Sequence, residues 1–454
     1  MPPPPPSTTP SSATTGTSSM SVTAAAALGV GGMMGAGLYT LVGLAATTAG
    51  VWIPVAFVIG GFVATLSVYS YAKLGAVFPS RGGAAQFLVR CFGDGVVAGG
   101  LNVFQFLGWI VAMALYAAGF AGYARELLPW ETPSWVGKVI GVGIVLVVVM
   151  VNLVGSKLVG RSEQVVIVVE IVILALFVVL GLFKADVDHF SASGGNGVMG
   201  VLFAAGLLYI CYEGFGVVTN SAGEMADPAR ELPRAMYIAV GIVVAVYVIV
   251  SATIVMVLTL PQIEANAGHV LADAAKEVAG RAGFIALGVA ALLATSSAVN
   301  ATMFGTANLA FMVAKDGELP ARFARKVWLG GTGSLFAAAA VTMLFVVAFP
   351  LESVGQMASL AFLIVYGTVS LGHLRVRHRT GAKAWILWAA VLLNAGLFVL
   401  LFVHAVQTGP ATTWITLIAM LVLSFVFETV YRRATGRTLK LEQPPDAAPA
   451  ATAS

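Results

Sequence analysis

Polar and charged residues fall in short clusters along the chain, separated by apolar stretches of about twenty residues, the length a helix needs to cross a hydrocarbon core of about 30 Å. Twelve such stretches occur, at 22–46, 50–76, 95–123, 135–154, 164–184, 198–222, 235–260, 282–314, 331–349, 352–374, 383–406 and 411–431. They predict an all-α membrane protein of about twelve transmembrane helices, because a backbone in lipid must satisfy its polar groups within each segment. The longest connection, at 261–281, has about twenty residues, too few for a separate soluble domain. Residues 1–20 are rich in Pro, Ser and Thr and contain no Lys or Arg, so they lack the basic start and apolar run of a signal peptide. With 436–454 they read as disordered cytoplasmic tails flanking a membrane domain at 21–435.

Composition makes the bilayer the solvent. The chain is 59% hydrophobic and 10% charged, with a mean hydropathy of +0.94, whereas soluble domains carry about 25% charged residues. Charge then orients the spans. Twelve crossings put both termini on one side, and 19 of the 24 Lys and Arg fall in the loops of that side, leaving five, Arg125, Lys138, Lys184, Lys276 and Arg281, on the other. The positive-inside rule makes the first side cytoplasmic, in a cell membrane. The pI near 9.0 is thus a signature of orientation and leaves no basic stripe for nucleic acid. Seven of the eight Trp lie near span ends, as an aromatic belt requires, and Trp109 is the mid-span exception. Two cysteines, Cys91 in a cytoplasmic loop and Cys211 inside a span, do not make a disulfide framework.

Two spans carry residues that a lipid-crossing helix ordinarily avoids. Span 1 contains GVGGMMGAG, with Gly29, Gly31, Gly32, Gly35 and Gly37, where each glycine costs up to about 1 kcal/mol of helix propensity relative to Ala. Close helix packing through small residues competes with unwinding as the reading of such a span. Span 6 contains YICYEGFGVV, which places Glu213, Gly214 and Gly216 near mid-membrane. Spans 1 and 6 run in opposite directions and head two groups of five, about 22–184 and 198–374, with spans 11 and 12 at about 383–431 left over. Interrupted helices at matching positions of two inverted halves point to a substrate site at the midplane.

Four segments in order resemble the amino acid-polyamine-organocation superfamily of amino acid permeases: GGMMGAGLYTLVG (31–43), YAKLGAVFPSRGGAAQF (71–87), EGFGVVTNSAGEMADPARELPRAM (213–236) and NATMFGTANLAFMVAKDGELP (300–320). The resemblance spans roughly 22–435 and implies a leucine-transporter-like 5+5 inverted repeat with spans 1 and 6 unwound at the substrate. Three positions depart from the family pattern. Ala85 stands where Tyr is usual, Gly216 where an acid is common, and Glu170 where some proton-coupled members have Lys.

An unwound segment exposes amides and carbonyls, which a zwitterionic amino acid complements at its two ends. The amides of Gly35, Ala36 and Gly37 are expected to take the carboxylate, and the carbonyls of Met33, Ile210, Cys211 and Glu213 the ammonium. Trp109, Met113 and Tyr116 share a face of span 3 and are the candidate side-chain contacts, with ordinary packing as the competing reading. No Lys or Arg lies deep in a span, which favours neutral or cationic substrates over dicarboxylic ones. Glu213 is expected to face the substrate cavity. Glu170 lies roughly 10 Å inside span 5 by helical rise and is the candidate coupling site. The resemblance brings Glu170 near span 1 and the run Thr295, Ser296, Ser297, with a proton favoured over sodium. A polyamine or other organic cation carried by the same fold is the alternative. An enzyme is disfavoured because HExxH and GxSxG are absent and the five histidines lack metal-ligand spacing. No cofactor is expected. A channel is disfavoured because no TVGYG-like filter occurs.

Overall fold

The computed structural model describes residues 20–79, 83–130, 132–154, 157–191, 197–315, 322, 325–328 and 331–436. The expected tails at 1–19 and 437–454 lie outside the described residues. The helices are α1 (Val22–Met34), α2 (Gly37–Ala49), α3 (Ile53–Val77), α4 (Gly83–Phe92), α5 (Val96–Glu126), α6 (Ser134–Val154), α7 (Lys157–Leu182), α8 (Gly197–Leu207), α9 (Pro228–Val257), α10 (Leu260–Ala265), α11 (Val270–Lys315), α12 (Gly333–Ala348), α13 (Leu351–Thr380), α14 (Ala384–Thr408) and α15 (Ala411–Thr435). Strands β1 (Lys326–Trp328) and β2 (Gly331–Thr332) pair as a small antiparallel hairpin ahead of α12.

Among the described residues, ten stretches are long and apolar enough to cross a membrane, and Val22–Met34 and Gly333–Ala348 are shorter apolar helices. The difference from the expected twelve has two sources. A three-residue 3-10 turn at Gly50–Trp52 joins α2 and α3 into one stretch of 41 residues. Helix α12 has 16 residues, about 24 Å at the helical rise, and falls short of the hydrocarbon thickness.

Two connections differ from expectation. The segment holding Cys91 forms the short helix α4 with Cys91 buried. The connection at 261–281 is mostly helical. Thr259 and Gln262 form a capping box that starts α10, and α11 begins at Val270 with a kink at Ala279 and Gly280. A Thr three residues before Gln is a helix-start pattern, overridden in the sequence reading by the search for long apolar runs.

The centre of the molecule is built by the helices that bury most of their surface. In α13 78% of the apolar window is buried, and in the stretch Gly197–Glu224 72%, against 22% in α6 and α7. Helices α6 and α7 therefore sit at the lipid-facing periphery. Helix α15 is fastened to the start of α5 by the pairing of Arg432 with Asp94, and Arg432 also pairs within α15 with the buried Glu428 at 3.4 Å.

Candidate functional site

Both expected breaks are present. Helix α1 stops at Met34, Gly35 takes φ −45 and ψ −110, and α2 starts afresh at Gly37. The first bond of α2 runs from the Thr40 amide to the Ala36 carbonyl at 3.0 Å. The amides of Gly37, Leu38 and Tyr39 therefore open a new helix with no carbonyl one turn back. In the second break α8 stops at Leu207, a 3-10 turn covers Leu208–Tyr212, and Glu213 is extended. Gly214 then adopts φ +112, and a second 3-10 stretch covers Phe215–Glu224. Only glycine takes that φ without strain.

The two breaks touch. A Cβ on Gly37 would lie 2.8 Å from the Cys211 Cα and 2.9 Å from its Sγ, and a Cβ on Gly214 would run into the Gly32 carbonyl. Small residues are thus required where the two unwound backbones meet. Of the other glycines in the first span, Gly29 packs on Val218 and Ala239, Gly31 on Ile167 and Gly35 on Ala298.

Hydroxyl groups hold the second break in place. Tyr247 of α9 donates to the Met33 carbonyl at 2.6 Å and to the Cys211 carbonyl at 3.1 Å, bridging both breaks. Ser359 of α13 donates to the Leu207 carbonyl and accepts from the Ile210 amide at 3.4 Å. Tyr212 donates to the Phe57 carbonyl at 2.7 Å, and Tyr209 shares a 2.9 Å bond with Ser67, which accepts from Asn394 of α14 at 3.1 Å. The Ile210 carbonyl accepts the Glu213 amide at 3.0 Å. Of the four carbonyls expected to face an ammonium, those of Met33, Ile210 and Cys211 therefore already have one donor.

The Glu213 side chain is different. It is half-buried among fully buried neighbours, the Gly214 amide is its backbone hydrogen-bond partner, and it makes no ion pair among the described residues. Tyr71, Tyr116 and Tyr366 lie within range of its charge. Rings of Tyr71, Phe215 and Tyr366 pack edge-on or tilted at 4.7–5.2 Å centroid spacing beside it.

The span 3 face lies in α5. Trp109 packs its six-membered ring on Gly305 of α11, and its indole N–H is buried without an acceptor. Met113 is fully buried and its sulfur accepts from Thr342 at 3.9 Å, while Tyr116 is 6% exposed. Glu170 of α7 is 3% exposed, and its Oε1 has no hydrogen-bond partner. The Tyr39 hydroxyl faces it. Ser297 is half-buried. Its neighbours Thr295 and Ser296 back-bond to the carbonyls of Ala291 and Leu293 at 2.6 and 3.0 Å, which leaves their hydroxyls engaged within α11.

Accessibility around the breaks is one-sided. Residues 36–43, 111–117 and 206–212 are buried without exception, whereas Gly31, Gly32, Trp109, Gly216, Val217 and Ser297 are half-buried. Toward α10 the residues around the breaks are thus sealed, and toward the start of α1 they are partly exposed.

Tyr247, Ser359, Tyr71 and Tyr366 did not figure in the sequence reading. A tyrosine in an apolar span is a usable signal, since its buried hydroxyl needs a partner. That partner's identity depends on which helices become neighbours.

A helical membrane protein whose two broken helices meet at an interior site has the construction of a membrane transporter. The chain belongs to the amino acid permease family, whose sequence pattern matches residues 20–427. It is similar to MJ0609 of Methanocaldococcus jannaschii, an uncharacterized protein, at 34% identity over 92% of this chain and 96% of that one. It is 31% identical to the inner membrane transport protein YbaT of Escherichia coli, over 89% and 94% of the two chains. It is 23% identical to the methylthioribose transporter of Bacillus subtilis, over 89% and 91%. The protein is a multi-pass membrane transporter of a transporter family, not an enzyme.

Proposed function

We propose that the protein carries amino acids, neutral or cationic, across the cell membrane by alternating access, with twelve spans in two inverted repeats of five plus two. Both termini are on the cytoplasmic side, consistent with the bias of basic residues. The observation that carries this reading is the pairing of a bare helix start at Gly37 with the Glu213 carboxylate, which has no cationic partner among the described residues, across touching breaks. Helix N-termini bind anions, and a half-buried carboxylate in a membrane interior persists with a cationic partner or water. A zwitterion satisfies both. The substrate carboxylate sits at the amides of Gly35, Ala36 and Gly37, its ammonium at Glu213 with the second lone pairs of the Met33, Ile210 and Cys211 carbonyls. Trp109, Met113 and Tyr116 bound the side chain.

Transport is proton-coupled through Glu170, whose burial facing the Tyr39 hydroxyl suits a carboxyl that is protonated in one state. Ser297 lies on α11, the helix that packs against Gly35 through Ala298. An organic cation such as a polyamine is the second reading, favoured by the aromatic rings beside Glu213.

Purified protein in liposomes tests both. Accumulation of a labelled amino acid driven by an imposed proton gradient, competed by other amino acids and not by their methyl esters, is expected. Glu170→Gln should retain exchange and lose gradient-driven accumulation. Accumulation by Glu170→Gln equal to wild type removes Glu170 from coupling, and competition by polyamines alone replaces the amino acid reading.

A further inference from the structure

The sealed side of the site is closed by the segment 266–269 together with α2 and α5. Gly43 of α2 lies against the Ala267 carbonyl and Gly119 of α5 against Thr40, contacts so close that neither glycine has room for a side chain. Tyr123 of α5 donates to the Tyr39 carbonyl at 3.0 Å, with the two rings edge to face. His269 stands at the joint. Its backbone carbonyl accepts the amides of Ala272 and Asp273 and so starts α11. Its ring Nδ1 donates to Asp273 Oδ2 at 2.6 Å, and its Nε2 lies 3.5 Å from Glu126 Oε1 at the end of α5.

A neutral imidazole has one N–H, so it donates to one of two flanking carboxylates and turns a lone pair on the other. The imidazolium donates to both. We propose that His269 is a proton-operated latch on the sealed side: protonated, it stays bonded to Asp273 of α11 and ties the 266–269 segment to α5 through Glu126, and loss of the proton releases α5 and favours opening. The charged and titratable groups around it are Glu126 and Tyr123 on α5 and Asp273 on α11. Glu264 on α10 is exposed, and α2 places Gly43 against this segment.

Burial by itself lowers the proton affinity of His269. The Asp273 hydrogen bond, the Asp273 charge and the Glu126 charge outweigh it, so the net pKa is raised above the ordinary histidine value. A raised pKa in the closed form means that the tie is complete below the ordinary histidine range and is lost as pH climbs through the raised value. An acid medium on that side therefore biases the carrier toward the conformation described above.

The latch rests on the proposed orientation, which makes the sealed side external, and the test separates the two. Thr40→Cys places a thiol in the sealed passage, and Glu264→Cys places one on the exposed face of α10. Cells expressing each variant are labelled with a membrane-impermeant maleimide from about pH 5.5 to about pH 8.5, a range spanning histidine titration. Rates are normalised to the unfolded protein at the same pH and corrected for the parent chain. Glu264→Cys should label at every pH, and failure there overturns the orientation alone. Thr40→Cys labelling should rise severalfold with pH. Adding Glu126→Gln should move the midpoint to lower pH, and adding His269→Gln should abolish the pH dependence. Labelling of Thr40→Cys that ignores pH, or an unchanged midpoint in Glu126→Gln, overturns the latch.

Discussion

The break in the first span occupies Gly35 and Ala36 and has no side-chain cap on the α2 side. The break in the sixth span runs through two 3-10 stretches and is fastened to α3, α9 and α13 by the hydroxyls of Ser67, Tyr212, Tyr247 and Ser359. Each unmade hydrogen bond in an apolar interior costs about 1–3 kcal/mol. The second break avoids that cost within the protein. The first leaves the α2 amides for something else to satisfy. Backbone recognition is thus concentrated at the first break, and at the second it passes to one side chain, Glu213. The anchors also make the sixth span a fixed wall, whereas the first is held across the break by Tyr247 on α1 and by Tyr123 on α2.

The comparison is broken most severely by filling the contact between the breaks. Gly214→Ala combines a left-handed φ, costing about 1–2 kcal/mol, with overlap on the Gly32 carbonyl. Gly37→Val meets the Cys211 backbone, which cannot give way. Both should lower uptake per inserted molecule by at least about tenfold, given an overpacking cost of about 1–3 kcal/mol, with insertion retained. Gly216→Ala is the control, because its Cβ would meet only a Tyr71 ring carbon at 3.8 Å. Wild-type uptake by Gly37→Val would mean that these glycines serve only helix packing.

Next in size is the removal of charge from the second break. A charge-assisted hydrogen bond is worth about 1.5–3 kcal/mol, so Glu213→Gln should weaken amine binding about tenfold to a hundredfold. Equilibrium binding to purified protein reads this directly.

Smaller effects are expected from the anchors. Tyr247→Phe leaves two carbonyls short of a donor and should cost about 1–3 kcal/mol of stability, seen as a lower unfolding temperature in detergent. Tyr209→Phe removes the bond to Ser67 and leaves no backbone carbonyl without its donor, and should cost about 1 kcal/mol or less. The reverse ranking would show that the sixth span is held mainly through α3.

The breaks were legible because their causes are local. Five glycines in about two and a half turns, and a glutamate followed by glycine in mid-membrane, disturb a helix wherever its neighbours lie. The anchors were not legible. Tyr247 acts 214 residues from Met33, and Asn394 reaches Ser67 across 327 residues, distances over which sequence spacing carries no information. The carbonyls of Met33 and Cys211 looked open because their donor, Tyr247, lies on another helix, whereas the donor to the Ile210 carbonyl is the local Glu213 amide. The helical character of 261–281 was legible in part, through the capping box at Thr259 and Gln262, yet the apolar-length criterion passes over short polar helices such as α10 and α4.

The central claim is that the two ends of the substrate are read by different breaks, the carboxylate by α2 amides and the ammonium by Glu213. A cycle between protein and ligand tests it: calorimetric affinities of wild type and Glu213→Gln for a transported amino acid and for the same molecule lacking its amino group. The account predicts that Glu213→Gln weakens the amino acid about tenfold to a hundredfold and leaves the des-amino acid within about twofold of its wild-type affinity. Equal losses for both ligands would contradict it.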